Sequence, residues 1–339
     1  MEQYKEADHV PQVGFVYYPR SDMRITANYS RTIQQPLVSE LYDTLAPSEW
    51  QVYDVLDLFD PDGPTTVEVV PYRYSWGNPD LEASVGKSHS IRVKFWPQFL
   101  NGLEFEVSYI SNSFEGQIEH TSAYFREPLA LASPDLAVRN ERGDLVALNF
   151  DYFNAKVRQS TTADAYALYR FGTPWLGTLE TRIHYHRKLK DYNEPFNGIV
   201  LSTLGTELSP DRYRTTLQMF WDRDKMSASM LARFTPGYRN EHAHYCTIQQ
   251  KLNLVGRCAD FALWDFNSWI ELDVGSLTIV DATYKYRFDD RLEIQLSGLN
   301  VFNRFSPLTV RQGLPYDATR WNGRGRIVSL SLRYTMSQE

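Results

Sequence analysis

The sequence predicts an all-β protein built as an antiparallel transmembrane β-barrel, and three observations predict it. Apolar and polar residues alternate with a period of two in segment after segment, as in strands with one apolar face. These segments run to about nine to thirteen residues, longer than the usual five or six of a soluble strand and matched to the roughly nine to eleven that a tilted strand needs to cross a bilayer. The connections alternate between tight and long, which puts short turns at one rim and long loops at the other. Composition agrees. With 22 Tyr, 18 Phe and 8 Trp against 6 Met and 2 Cys in 339 residues, the chain favours the rings that strands and membrane interfaces use. A formal net charge of -7 leaves no basic footprint for phosphates, so nucleic acid is not an expected partner.

In chain order, Met23, Ile25, Ala27 and Tyr29 alternate with Arg24, Thr26, Asn28 and Ser30, and Leu103, Phe105, Val107 and Tyr109 alternate with Glu104, Glu106 and Ser108. Leu179, Ile183 and Tyr185 then stand opposite Glu180, Arg182, His184 and His186. Thr278, Val280, Ala282, Tyr284, Tyr286 and Phe288 oppose Asp281, Thr283, Lys285 and Arg287. Leu292, Ile294 and Leu296 follow, and Val328, Leu330, Leu332 and Tyr334 close the chain. Short turns rich in Pro, Gly, Asn and Asp fall at Pro19 to Asp22, Pro97 to Gly102, Thr173 to Gly177, Asp222 to Lys225 and Asp289 to Asp290. Long segments lie between them, at about 33–82, 114–143, 189–210, 239–275 and 303–325.

This alternation predicts about eleven crossings, with Asp144 to Phe171 as one long irregular strand. An odd count makes the first strand, near Pro11 to Tyr18, and the last, Arg326 to Thr335, run in the same direction. Bacterial single-chain barrels have even strand numbers, and lipid does not tolerate an open edge, so the expectation is part of a larger barrel. No apolar run reaches the 18 or so residues of a transmembrane helix, and the start MEQYKEADHV has neither the basic flank nor the apolar stretch of a signal peptide. The expectation is therefore a cytoplasmic chain or one whose leader is missing, and the strand pattern favours the second.

Several phrases carry a family resemblance. Gly77-Asn78-Pro79-Asp80-Leu81 after a long loop, the strand around Asp281, Leu299-Asn300-Val301-Phe302-Asn303, Tyr316-Asp317, and Gly325-Arg326 before a terminal strand resemble the C-terminal barrel of TonB-dependent outer-membrane receptors. Ala27-Asn28-Tyr29-Ser30-Arg31, with Pro36 and Glu40-Leu41-Tyr42, looks like a mid-barrel phrase of that family. The resemblance runs from about Val10 to Thr335. It implies a 22-stranded barrel plugged by an N-terminal domain, of which residues 1–339 would be the C-terminal segment, with roughly eleven strands and without plug or signal peptide. It also implies residence in a Gram-negative outer membrane. The expected partners are outer-membrane lipid, a bulky scarce substrate (siderophore, cobalamin or oligosaccharide), and the inner-membrane TonB complex acting through the missing plug. The chain shows no TonB-interacting box near its start, and its last strand is expected to continue past Tyr334.

No catalytic constellation stands out: there is no Gly-x-Ser-x-Gly elbow, no phosphate-binding loop and no His-Glu-x-x-His, so neither an enzyme nor a cofactor is expected. Cys246 and Cys258 share the long segment 239–275, on the outer side. A disulfide is the first reading there and would contribute about 3 kcal/mol in the chain-entropy model. A metal site with His242 and His244 is the alternative, although the spacing matches no standard zinc module. His184 and His186 read as lining of a polar barrel interior, with a relay or ligand contact as the sharper option. Asp57, Asp60 and Asp62 with Gly63 do not fit an EF-hand, so a solvated turn around Pro61 and Pro64 is the simpler reading than a calcium site. Loop aromatics are the candidate ligand contacts: Trp50, Trp76, Trp264, Trp269 and Trp321, together with Tyr53, Phe59, Tyr245, Phe266 and Tyr316. Interfacial girdle alone would account for about half of them.

The expected function is TonB-dependent uptake through the outer membrane. A small complete porin, which needs an even count near twelve strands, and a soluble all-β carbohydrate-binding module are the alternatives.

Overall fold

The computed structural model describes residues 10–42, 52–74, 77–123, 128–202, 204–206, 211–239, 273–307, 320 and 323–336. The strands, in chain order, begin with β1 (Gln12–Arg20), β2 (Met23–Gln34), β3 (Tyr53–Asp57), β4 (Thr65–Tyr74), β5 (Ser84–Phe95) and β6 (Leu103–His120). They continue with β7 (Ala137–Arg139), β8 (Leu145–Phe150), β9 (Tyr152–Thr173), β10 (Gly177–Phe196), β11 (Ile199–Ser202) and β12 (Tyr213–Arg223). The last six are β13 (Met226–Thr235), β14 (Tyr238–Arg239), β15 (Asp273–Val274), β16 (Leu277–Arg287), β17 (Leu292–Leu299) and β18 (Ile327–Tyr334). A short helix, α1 (Val38–Tyr42), precedes β3.

Eleven strands form one path, β1-β2-β5-β6-β9-β10-β12-β13-β16-β17-β18, with β11 paired to the far end of β10. Every pairing along the path is antiparallel. Tight turns join β1 to β2, β5 to β6, β9 to β10, β12 to β13 and β16 to β17, and long excursions make every return. The count and the alternation are those the sequence predicts. Two of the tight turns require glycine. Gly102 and Gly177 take φ of 87° and 79°, and an added Cβ would run into the carbonyl oxygens of Arg170 and Asp222 on the adjoining strand ends.

Register sorts the side chains into two faces, because successive residues of a strand point to opposite sides. One row of direct partners reads Phe171, Leu179, Trp221, Ala228, Tyr284, Leu296 and Leu330. The next row over is Arg170, Glu180, Phe220, Ser229, Thr283, Ser297 and Ser329. The first face stays apolar across the sheet, from Met23, Phe95 and Phe105 to Ala167, Ile183, Leu217 and Val280. It is also uncovered: Leu296 is 48% exposed and Leu330 73%. A contiguous apolar face of this extent is unstable against water, and hydrocarbon is the solvent that suits it.

The buried core lies elsewhere, over the long-loop end. There β3, β4, β8 and β7 form a second sheet in that order. Strands β3 and β4 come from the β2–β5 connection, while β7 and β8 come from the β6–β9 connection, and the two loops are joined by a parallel β4–β8 pairing. Val55, Val69, Leu131, Leu136, Leu145, Leu148 and Phe150 pack under this sheet with Phe196 from the end of β10. Phe196 stacks on Phe153 at 4.9 Å. Three connections therefore form one folded lobe.

Three expectations need correction. Asp144 to Phe171 is not one strand: the chain leaves the lobe sheet after Phe150 and joins the wall at Tyr152. Thr121 holds this corner, because its hydroxyl accepts the Asp151 N–H at 2.8 Å and donates to the Asn149 carbonyl at 2.6 Å. Strand β18 ends at Tyr334, and among the described residues past it one further bond of the ladder follows, from the Thr335 N–H to the Arg291 carbonyl at 2.8 Å. Asp57 is not a solvated turn residue: it is 0% exposed within the lobe.

Candidate functional site

The polar face of the wall is its charged lining, and its charges are paired across strands. Arg92 meets Glu106 at 3.2 Å and Lys94 meets Glu104 at 2.6 Å. Glu180 takes both Arg170 and Arg182, and Asp281 takes Arg233 as well as the Asn300 N–H. Glu293 lies 3.2 Å from Lys285 and 3.9 Å from Arg287. Two carboxylates, Glu180 and Glu293, thus each carry two cations. His184 and His186 both point to one oxygen of Asp164, at 3.1 and 2.8 Å. They do line the polar interior, and Asp164 is a partner that strand alternation could not name.

Two recesses open on this face. One, of about 530 Å³, is lined by Arg92, Glu106, Asp164, Tyr166, Arg182, His184, Thr216 and Gln218. The other, of about 620 Å³ and nearer the short turns, includes Glu180, Arg182, Asp222, Ser229, Lys285 and Gln295. Arg182 borders both, lies over the Phe220 ring at 5.3 Å, and keeps its Nε buried without a hydrogen-bond partner.

Among the described motif residues, the structure assigns hydrogen-bonding duties at strand entries and exits. Asn78 donates its backbone N–H to the Glu40 carbonyl at 2.7 Å and its side-chain amide to the Tyr152 carbonyl at 2.9 Å, and it accepts the Asp80 N–H at 3.0 Å. With Pro79 next to it, this closes the turn that leads into β5. Asn300 takes φ of 50° after β17 and clasps Arg304, accepting its N–H at 2.9 Å and donating to its carbonyl at 2.7 Å. Phe302 is 69% exposed in the same turn. Arg326 donates its N–H to Asn303 at 2.9 Å, and an added Cβ on Gly325 would come within 2.9 Å of that Asn303 side chain. Tyr316 and Asp317, the candidate ligand contacts Trp50, Trp76, Trp264, Trp269 and Trp321, and the Cys246–Cys258 pair lie outside the described residues.

Sequence reading missed the central ion pair of the lobe. Arg139 grips Asp57 in bidentate fashion, at 2.7 and 2.8 Å, and also donates to the Leu131 and Gly143 carbonyls. The Asp57 hydrogen bond raises the Arg139 pKa above its ordinary value, despite partial burial. Phe59, a candidate ligand contact, has this guanidinium 6.0 Å from its ring. The pair spans 82 residues, and no local pattern connects its members.

A wall that is apolar outside and charged inside, with short turns at one rim and a folded lobe at the other, defines a transporter-type outer-membrane barrel. The chain belongs to the TonB-dependent receptor family: residues 2–303 match the family described as TonB dependent receptor-like, beta-barrel. Such receptors are proteins of the Gram-negative outer membrane, and that is where this chain belongs. Similar solved structures include a ferric enterobactin receptor mutant of Pseudomonas aeruginosa (13% identity, TM-score 0.55), covering 96% of this chain and 40% of that one. The siderophore receptor PirA of Acinetobacter baumannii is similar at 11% identity and TM-score 0.58, with the same coverage. The ferric-catecholate import receptor Fiu of E. coli K12 is similar at 12% identity and TM-score 0.54, covering 96% of this chain and 34% of that one. These identities bear on fold. The chain spans well under half the length of each receptor. Comparison with curated proteins returns no match.

Proposed function

We propose that this chain is the C-terminal wall of a receptor that takes up a bulky, scarce substrate of the siderophore kind across the outer membrane, driven by the TonB complex through a plug domain. The observation that carries the reading is the two-faced sheet. Eleven strands present a largely apolar face to lipid and a paired-charge face to the lumen, and the edge strands β1 and β18 are exposed at every position. Both edges run in the same direction, so an antiparallel partner with an odd number of strands would close the barrel without a parallel seam. Backbone groups on an open edge are costly in hydrocarbon, which favours such a partner over the chain standing alone. A porin-like closure of this chain on itself would need the parallel seam, and a soluble module would not expose Leu296 and Leu330.

The test is membrane fractionation of cells producing the receptor polypeptide that contains this sequence, with uptake of radiolabelled ferric siderophores measured with and without the energised inner membrane. Detergent-dependent extraction together with energy-dependent uptake supports the reading. A chain recovered in the aqueous fraction would sink it.

A further inference from the structure

Resting on the membrane wall of the reading above, we propose that its apolar face carries a binding site for an anionic lipid of the outer leaflet. One acyl chain lies in a groove that crosses β12, β13, β16, β17 and β18, and the phosphate sits on Arg326. The groove has a volume of about 590 Å³, within the range of small-molecule sites. Its floor is low because Ala228, Ala282 and Gly298 stand where neighbouring positions of the same face carry Trp221, Tyr284 and Leu296. Val301, in the turn after β17, folds back over Gly298, where an added Cβ would come within 2.8 Å of its Cγ1. The Val301 N–H ties that turn to the Val280 carbonyl at 2.8 Å. Trp221 closes the other end, its indole N–H fixed to the Leu176 carbonyl at 2.8 Å.

An apolar groove on a face bathed in hydrocarbon takes a hydrocarbon chain, and Arg326 makes the choice among lipids. It stands two residues before Val328 and so shares the lipid face, at the end of β18 that meets the long connection. Arg326 is exposed, and among the described residues its guanidinium has no hydrogen bond or ion pair, while its backbone N–H is taken by Asn303. The lipid-facing positions of the five strands carry no carboxylate to balance it. A lone cation beside hydrocarbon gains most from a phosphate that arrives with its own chain, and a guanidinium matches phosphate oxygens in bidentate fashion. A zwitterionic lipid brings a competing cation. A second copy of this chain, docked through the same face, would bury two unpaired arginines in the contact.

The experiment inserts the receptor polypeptide that contains this sequence into phosphatidylcholine vesicles and adds phosphatidylglycerol with brominated chains, which quench a tryptophan they touch. Brominated phosphatidylcholine at the same mole fraction is the control, and the Trp221 signal is the difference between the parent and Trp221→Phe. Half-maximal quenching of Trp221 should come at a roughly fivefold lower mole fraction of the anionic lipid, and the gap should narrow as ionic strength rises. Arg326→Gln should bring the two lipids together. So should Ala282→Leu, which fills the floor between Trp221 and Arg326 and leaves the guanidinium in place. Equal quenching by the two lipids in the parent overturns the site, as does a preference that survives either variant; survival in Ala282→Leu alone would reduce it to headgroup attraction without the groove. Inserted protein quenched by neither lipid overturns it too, because another protein surface, such as a second copy, would then cover the groove. A polypeptide that does not insert defeats the membrane wall itself, and only that outcome reaches the transport reading.

Discussion

Asp57 is fully buried, and removing the guanidinium that faces it would leave a carboxylate uncompensated beneath an apolar lobe. Breaking one side of such a pair typically costs about 3–5 kcal/mol. Arg139→Met should therefore unfold the lobe selectively, seen as faster hydrogen exchange in β3, β7 and β8 while the wall strands stay protected. Equal exchange in wild type and variant would show that the pair does not hold the lobe together. Asp289 gives a contrasting case at the other rim. Its carboxylate accepts the N–H groups of Arg291 and Leu292, both at 2.8 Å, and these bonds hold its pKa below the ordinary value of 3.8. A depressed folded-state pKa contributes stability that is present above the unfolded value and lost as pH falls through the folded one. Protection of the Arg291 and Leu292 amides, taken relative to their intrinsic exchange rates, should thus fall in acid below that range, and Asp289→Asn should remove that acid-dependent loss of protection.

At the scale of elements, the two faces of β17 make opposite demands within a few ångströms. Leu296 lies on the lipid face, between Tyr284 and Leu330, whereas Ser297 lies on the lumen face between Thr283 and Ser329. Leu296→Arg should destabilise the folded wall by about 2–4 kcal/mol if the position lies near the bilayer midplane. Ser297→Arg should cost far less, and urea titrations of vesicle-inserted protein measure the difference. In the lobe, Leu148 is fully buried on β8 between the two loop systems, so Leu148→Ala should cost about 2–5 kcal/mol of lobe stability. The Asn78 turn is an element of another kind. It ties the start of β5 to the carbonyl of Tyr152 across 74 residues of sequence, and so positions the lobe on the wall. Asn78→Ala should loosen that junction without affecting the register of β5 with β6, which the ladder itself maintains.

At the scale of the whole molecule, the sheet is wide enough to curve and is exposed at both edges. If these edges meet further strands in the receptor, amides along β1 and β18 should exchange rapidly in the isolated chain and become protected when the complementary barrel segment is co-folded with it. Unchanged exchange on co-folding would count against a shared barrel. The wall strands, the order of short turns and long returns, and the two faces were legible in the sequence, because a period of two and a turn-forming cluster are both local signals. Leu292 to Leu296 and Val328 to Tyr334 show this best, pairing as their alternation predicts. The lobe was not legible. Residues 33–82 and 114–143 read as loops, yet β3, β4 and β7 fall within them, and β4 finds its parallel partner β8 only when two distant connections meet.

By itself the sequence determined a membrane-crossing β-wall with one face for lipid and one for the lumen, since that division follows from side-chain alternation and needs no knowledge of neighbours. Tertiary structure decided that Asp57 faces Arg139, that two histidines share Asp164, and that the chain breaks at Asp151 against Thr121. Each of these is a contact between residues far apart in the chain, and only the strand register brings such residues to within bonding distance.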